Sequence, residues 1–256
     1  MDPQSKIALI TGGAQRVGKA ITLARARTGA NVVIHYNTSA NAAHETEVEV
    51  RALGVDALIV QADLSNHAQV KAMVDAAAAR FGTIDILVNS ASPFDPTPFP
   101  TEDVSDWQRV IDVLINGSFY VANAVAPLML RQQRGAMINI ADVLALVPRK
   151  NFAAHGVGKA GLVAMRRQFA LELAPHVRVN AVVPGPVFPP PNYPPEGIAR
   201  IASRTVLKRW AHPLMLPTRC CTWSARSTLQ VKYSWWMAAN IWDLTKSNLS
   251  FVRRDT

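Results

Sequence analysis

The stretch KIALITGGAQRVGKAI, residues 6–21, joins a short apolar, β-branched run to a glycine-rich turn and passes without a break into an Ala-rich helical pattern. Outward from it the same alternation recurs. Apolar runs KIALIT, NVVIHY, DALIVQ, IDILVN, AMINIA and VRVNAVV are separated by helical patterns over 17–29, 39–53, 66–81, 104–133 and 157–174. Strands apolar nearly throughout, alternating with longer helices, specify a parallel sheet covered on both faces. The fold class is therefore α/β, a Rossmann-like doubly wound sheet. The segment PGPVFPPPNYPPEG, 184–197, holds too much proline for helix or central strand and reads as a loop at the carboxyl edge of the sheet.

In such a sheet the first βα turn has a particular chemistry. Glycines let the backbone approach a pyrophosphate, and the helix N-terminus supplies N–H groups and a positive dipole. TGGAQRVG, Thr11–Gly18, has that composition and place, with Gly12, Val17 and Gly18 at the contact. The second strand ends His35-Tyr36-Asn37-Thr38-Ser39 with no carboxylate to hold a ribose 2′-hydroxyl. Arg16 offers a guanidinium suited to a 2′-phosphate. NADP(H) is expected over NAD(H).

The 256 residues are 49% hydrophobic, enough for a real core. The formal net charge is +9, but four of those nine charges fall after residue 210, and no Lys/Arg run exceeds two. Nucleic-acid binding is not expected on that distribution. The N-terminus MDPQSK lacks an apolar targeting core, so a cytoplasmic protein without membrane attachment is expected. Cys220 and Cys221 are adjacent, which suits neither a disulfide framework nor a metal site, and no metal is expected.

Together the TGGAQRVG turn, Asp63 after the third strand, Asn89-Ser90-Ala91 after the fourth, Asn116 within a helix and Pro184-Gly185 after the sixth resemble the short-chain dehydrogenases/reductases over about residues 5–210. HYNTS, QADLS, SASPFDPTPF and Asp142 are most similar to the pteridine reductase branch, on a framework shared with 3-oxoacyl-carrier-protein reductases. The resemblance implies Arg16, His35, Asn37 and Ser39 near the 2′-phosphate. It implies Asp63 and Leu64 near adenine, Asn89, Ser90 and Ala91 along the adenosine side, and Pro184, Gly185 and Val187 around nicotinamide. It also implies a homodimer or homotetramer.

The resemblance further implies an Asn, a Ser or Asp, a Tyr and a Lys as catalytic groups, the last two spaced Y-x-x-x-K. Here the matching stretch is AAHGVGKAG: Lys159 is present, Asp142 and Asn116 are in place, and His155 stands where the family has tyrosine. An imidazolium is a competent general acid, but its ring reaches less far than a phenol, and small misplacements cost rate. Two readings stay open. One is an NADPH-dependent reductase of a carbonyl or pterin-type substrate using Asn116, Asp142, His155 and Lys159. The other is an NADP(H)-binding homologue without turnover, acting as a sensor or oligomer subunit. Ser92–Phe99, Asp142–Pro148 and residues 186–197 are expected to line the substrate pocket.

Residues 211–256 break the pattern: they hold four of six Trp, both Cys and no Gly. Trp235-Trp236-Met237-Ala238 must be encoded TGG TGG ATG GCN, which read from the third base gives Val-Asp-Gly, the family's final-strand ending. Cys220-Cys221 gives leucine in the same frame. The tail thus reads as an out-of-frame translation beginning near Pro213 or Leu214, with the last strand of the sheet missing or altered and assembly in doubt. The chain divides into a Rossmann-like domain, 1–210, and an anomalous tail.

Overall fold

A computed structural model of the chain describes residues 5–189 and 192–211; residues 212–256, where the expected frame shift and the altered final strand fall, lie outside these. Six strands form one parallel sheet: β1 (Ile7–Ile10), β2 (Asn31–Tyr36), β3 (Ala57–Gln61), β4 (Ile86–Asn89), β5 (Gly135–Ile140) and β6 (Val177–Val182), in the order β3-β2-β1-β4-β5-β6. The helices are α1 (Arg16–Arg27), α2 (Ala40–Arg51), α3 (His67–Phe81), α4 (Ser105–Ile111), α5 (Ser118–Arg131), α6 (Ala153–Glu172) and α7 (Pro195–Ser203). The doubly wound fold expected from the alternation is the fold observed.

Successive strand residues face opposite layers. Ala8, Ile10, Val32, Ile34, Val88, Ile138 and Val182 pack with Ile21 and Ala26 of α1 and Ala43 and Val50 of α2. Ile7, Leu9, Val33, Leu87, Met137 and Val179 pack with Val70 and Val74 of α3, Val121, Val125 and Met129 of α5, and Ala170 of α6. Two cores thus sandwich the sheet. The continuous helical stretch Ser105–Arg131 is long and apolar enough to cross a membrane, but 44% of its most apolar window is buried, as suits a helix that covers a sheet.

Three local features depart from the sequence reading. Helix α6 starts at Ala153, four residues early, because Gly156 and Gly158 are there for packing and do not delay the helix: a Cβ on Gly158 would lie 2.6 Å from Leu114 Cδ1. Helix α7 begins inside the expected loop at Pro195, since a first-turn proline loses no hydrogen bond. Between α4 and α5 the chain opens into a π-helical segment, Asp112–Gly117, where Gly117 lies so close to Leu64 that a Cβ would come within 2.8 Å of its Cβ.

The chain passes from β3 on one side of β1 to β4 on the other, so the order reverses at β1 and β4 and opens a crevice at their carboxyl ends. Below it lies His35, 2% exposed. Its Nδ1 accepts the Gly12 N–H at 3.0 Å, so its Nε2 carries the proton and donates to Ala62 O at 3.0 Å. Burial pushes its pKa down, opposed by the Ala62 carbonyl and the Asp63 charge. Acidification below about pH 6.5 protonates the unfolded imidazole before the folded one and so removes stability. Urea denaturation at pH 7.5 and 5.5 should show a larger loss in wild type than in His35→Gln, whose amide keeps an acceptor and a donor without titrating. Equal losses would mean that His35 is not the titrating support. His35→Ala, which orphans two buried backbone groups, should cost about 2 kcal/mol or more at pH 7.5.

Candidate active site

The crevice is built around the first two residues after β1. Thr11 Oγ1 accepts the N–H groups of Ser90 (2.9 Å) and Ala91 (3.1 Å), tying the turn after β4 to the turn after β1. Gly12 has φ +62°, and a Cβ there would lie 3.0 Å from Ala91 Cα; on Gly18 a Cβ would overlap the Gly12 carbonyl. Only glycine fits at either position. Gln15, the N-cap of α1, makes no side-chain capping bond, and the first turn of α1 has no acidic residue. The helix end therefore keeps N–H groups for an anion.

The sequence-predicted residues divide into two groups by the state of their hydrogen bonds. Asn89 is 3% exposed, and its Nδ2 donates to Asn139 Oδ1 at 3.1 Å, while Asn139 Nδ2 donates to Leu162 O at 3.0 Å. This strut ties β4 through β5 to α6, and Asn139 was not anticipated. Leu64 is buried, Val17 packs partly against the core, and Val187 is in the core, so Val187 offers the crevice backbone only. Val143 N–H donates to Pro184 O at 2.9 Å, and Gly185 follows in the same loop. Asp63 Oδ1 accepts the N–H and hydroxyl of Ser65.

Two of the residues expected at the 2′-phosphate end have partners within the fold. The His35 side chain lies under the turn with both nitrogens engaged, so it supports the turn. Arg16, at φ +50°, turns away from Ser39 toward the loop after β6, donating to Phe188 O at 3.1 Å and Pro189 O at 3.2 Å. Gln15 instead reaches Ser39, its Nε2 donating to Ser39 Oγ at 2.9 Å. Asn37 is exposed; its carbonyl accepts from Gln61 Nε2 at 3.0 Å. A shallow depression lined by Thr38, Ser39, Ala40, Asn41 and Ala42 lies at the uncapped N-terminus of α2.

At the other end of the crevice, α6 places His155 and Lys159 on one buried face by their i, i+4 spacing. Lys159 is 3% exposed and donates to Ile140 O at 2.8 Å. Burial lowers its pKa to about 8, against the pull of the Asp142 charge. Asp142, on the turn after β5, accepts the Leu144 N–H through Oδ1 at 2.8 Å, and its Oδ2 lies 3.8 Å from His155 Nε2. His155 Nδ1 lies 3.2 Å from Pro93 O, which as a carbonyl only accepts, so Nδ1 carries a proton. His155 is 2% exposed, Nε2 has no hydrogen-bond partner and almost no open surface, and Phe94 meets the ring edge-on at 4.8 Å.

Asp142, His155 and Lys159 thus come together, with Asp142 the most open of the three at 27% side-chain exposure. The His155 ring itself is buried, beside Asp142 and against Phe94. Asn116 does not join them. Its Nδ2 donates to Asp112 Oδ1 at 2.7 Å, no polar contact links it to the other three, and the residue of the π segment that packs beside Lys159's turn is Leu114, against Gly158.

A reversing parallel sheet, a glycine turn at the reversal and a buried lysine beside a carboxylate form the framework of a dinucleotide-dependent oxidoreductase. The model of the short-chain dehydrogenase family matches residues 6–192. A 3-oxoacyl-[acyl-carrier-protein] reductase of Synechocystis sp. is 38% identical over 182 residues, 71% of this chain and 74% of that protein. The 3beta-hydroxysteroid dehydrogenase 1 of Eggerthella lenta is 35% identical over 193 residues, 75% and 74% of the two chains. The crystal structure of FolM alternative dihydrofolate reductase 1 from Brucella canis complexed with NADP superposes with a TM-score of 0.84 at 30% identity, covering 90% of this chain and 91% of that one. The chain belongs to the short-chain dehydrogenase family.

Lys159 is an ionisable group held where its charge is costly. With a folded pKa near 8 against 10.5 in the open chain, its protonation opposes folding by on the order of 3 kcal/mol at neutral pH. The unfolded chain binds the extra proton between pH 8 and 10.5, so stability from this group rises with pH across that window. Thermal denaturation should show Lys159→Met more stable than wild type at pH 7, with the gap closing by pH 10. A gap independent of pH would mean that the lysine is not desolvated.

Proposed function

We propose that this protein is an NADP(H)-dependent oxidoreductase that reduces a carbonyl or pterin-type substrate, with Asp142, His155 and Lys159 as its reactive cluster. The observation that carries this reading is the convergence of those three side chains beside the β5 and β6 ends of the crevice.

The glycine turn and the N-terminus of α1 fit a pyrophosphate. For the 2′ position, β2 ends without a carboxylate, and Gln15, Ser39 and the free N–H groups of α2 supply donors, which favours a phosphate over a bare hydroxyl. NADPH, when bound, supplies the hydride that adds to the substrate carbon. The chain's own residues handle the accompanying proton. Asp142 Oδ2 faces open space and lies 3.8 Å from His155 Nε2, so the carboxyl group is the cluster's proton donor to the substrate oxygen or nitrogen that receives the electron pair, with the imidazole one small closing movement behind it. Solvent then reprotonates the pair, leaving the cluster unchanged. Lys159, fixed by Ile140 O, keeps a positive charge beside Asp142 and holds the ribose end of the nicotinamide. A planar ring has a surface to lie on in Phe94, 47% exposed.

A second reading, cofactor binding without turnover, is favoured by the closed position of His155 Nε2. Stopped-flow NADPH oxidation against a carbonyl and dihydropterin panel separates the two. Turnover that falls at least about a hundredfold in Asp142→Asn supports the reductase reading, and tight NADPH binding with no oxidation by any substrate supports the second. His155→Tyr should raise turnover, since a phenol reaches further past Phe94; a fall would show the imidazole to be the better relay.

Cofactor choice has its own test by fluorescence titration. Arg16→Ala should weaken NADPH and NADH by similar factors, because its guanidinium stands over the shared pyrophosphate side. Ser39→Asp should weaken NADPH alone, by about tenfold or more. Selective loss of NADPH in Arg16→Ala would return the guanidinium to the 2′-phosphate.

A further inference from the structure

The wall in front of Asp142 continues outward as a ladder of stacked groups. Phe94 meets His155 edge-on at 4.8 Å, Phe152 stacks on Phe94 with centroids 4.8 Å apart, and the Arg149 guanidinium lies 4.6 Å over the Phe152 ring. Its rungs are held by backbone. Thr97 N–H donates to Asn151 O at 2.8 Å, Thr97 Oγ1 accepts the Ala154 N–H at 2.9 Å, and Phe152 N–H donates to Arg149 O at 3.3 Å. The loop carrying Phe94 is thereby clipped to the segment carrying Arg149 and Phe152.

The charges around this ladder do not cancel. Arg149 and Lys150 are exposed, and neither has an acidic partner among the described residues. The carboxylate nearest Phe94 in sequence, Asp95, is held by Arg109 at 2.9 Å, and Asp106 takes the other end of the same guanidinium. Asp142 lies at the inner end, facing His155 and Lys159. The ladder therefore runs from a reactive cluster to an aromatic face and then to a cation fixed in orientation by a ring, with unspent N–H donors.

We infer that Arg149 is a specificity residue for substrates whose planar ring carries a tail ending in a carboxylate, the ring lying against Phe94 and the tail leaving past Phe152 to the guanidinium. This rests on the reductase reading and narrows its substrate class: a neutral ketone of the same ring size leaves the cation unused. The planar guanidinium over Phe152 favours a carboxylate, which it can meet with two parallel N–H bonds.

The test uses the full chain with saturating NADP+, and two ligands: 7,8-dihydrofolate, whose glutamyl tail carries carboxylates, and the tail-less, neutral 6-methyl-7,8-dihydropterin. Dissociation constants are read by fluorescence quenching for wild type, Arg149→Ala and Arg149→Lys, and NADPH oxidation is followed with the same pair. The wild-type preference for the carboxylate ligand should drop about tenfold in Arg149→Ala. Arg149→Lys should recover part of it, and 0.5 M salt should erode it in wild type only. An unchanged preference in Arg149→Ala, or failure of wild type to bind either ligand, overturns the inference. Binding with the expected shift but no NADPH oxidation would overturn the reductase reading and leave Arg149 as the determinant of a binding site.

Discussion

The backbone of Gly12 passes through a gap with no room for a side chain, and the carboxyl edge of the sheet is organised around that passage. On one side its N–H is fixed by the buried His35 imidazole, which reaches on to Ala62 at the end of β3. On the other side it lies against Ala91, whose N–H is fixed by Thr11. The turns after β1, β2, β3 and β4 are thus linked through one imidazole and one hydroxyl. Both hold the shape of the glycine turn. A neutral histidine suits the task because one ring presents an acceptor and a donor on opposite edges.

At the catalytic end the governing cost is burial of charge. Lys159 is nearly inaccessible, and what keeps it usable is the Ile140 carbonyl and the Asp142 charge. Asp142 is in turn fixed by the Leu144 N–H, which leaves its second oxygen for His155 and the open crevice. Position 155 carries an imidazole where the family pattern has a phenol. The shorter ring is taken into the wall by the Pro93 carbonyl and Phe94, and the carboxylate in front of it becomes the exposed member of the cluster.

The alternation of apolar runs was enough to read the sheet, its two covered faces and the place of the glycine turn, because burial on both faces leaves a strong local pattern. Asp142, His155 and Lys159 were legible through the family resemblance, and the i, i+4 spacing of the last two put them on one helix face. What stayed hidden depends on contacts distant in sequence. The direction of Arg16 is set by carbonyls 172 and 173 residues away. The role of His35 depends on the ends of two other strands. The surroundings of Asn116 stayed hidden because the π segment changes which residue of that stretch packs against α6, and no periodicity announces an inserted residue. Gly158 helped conceal the start of α6 because its use is packing against Leu114 of the π segment, not flexibility.

These cases share a physical criterion that the sequence alone does not offer. A polar side chain whose donors and acceptors are all engaged inside the fold is a structural part, whatever residue type it is; His35 and Thr11 are of this kind. A polar group held firmly at one end with capacity left at the other is the one available to a ligand. Asp142 has a free oxygen, and the Arg16 guanidinium, with five N–H donors and two engaged, has three left. The Arg149 guanidinium lies over the Phe152 ring and has no acidic partner among the described residues. By that measure the functional surface extends from the glycine turn across the β6 loop and outward along the Phe94 and Phe152 rings. His35, which the resemblance placed at the cofactor, is by contrast a residue whose hydrogen bonds are already committed.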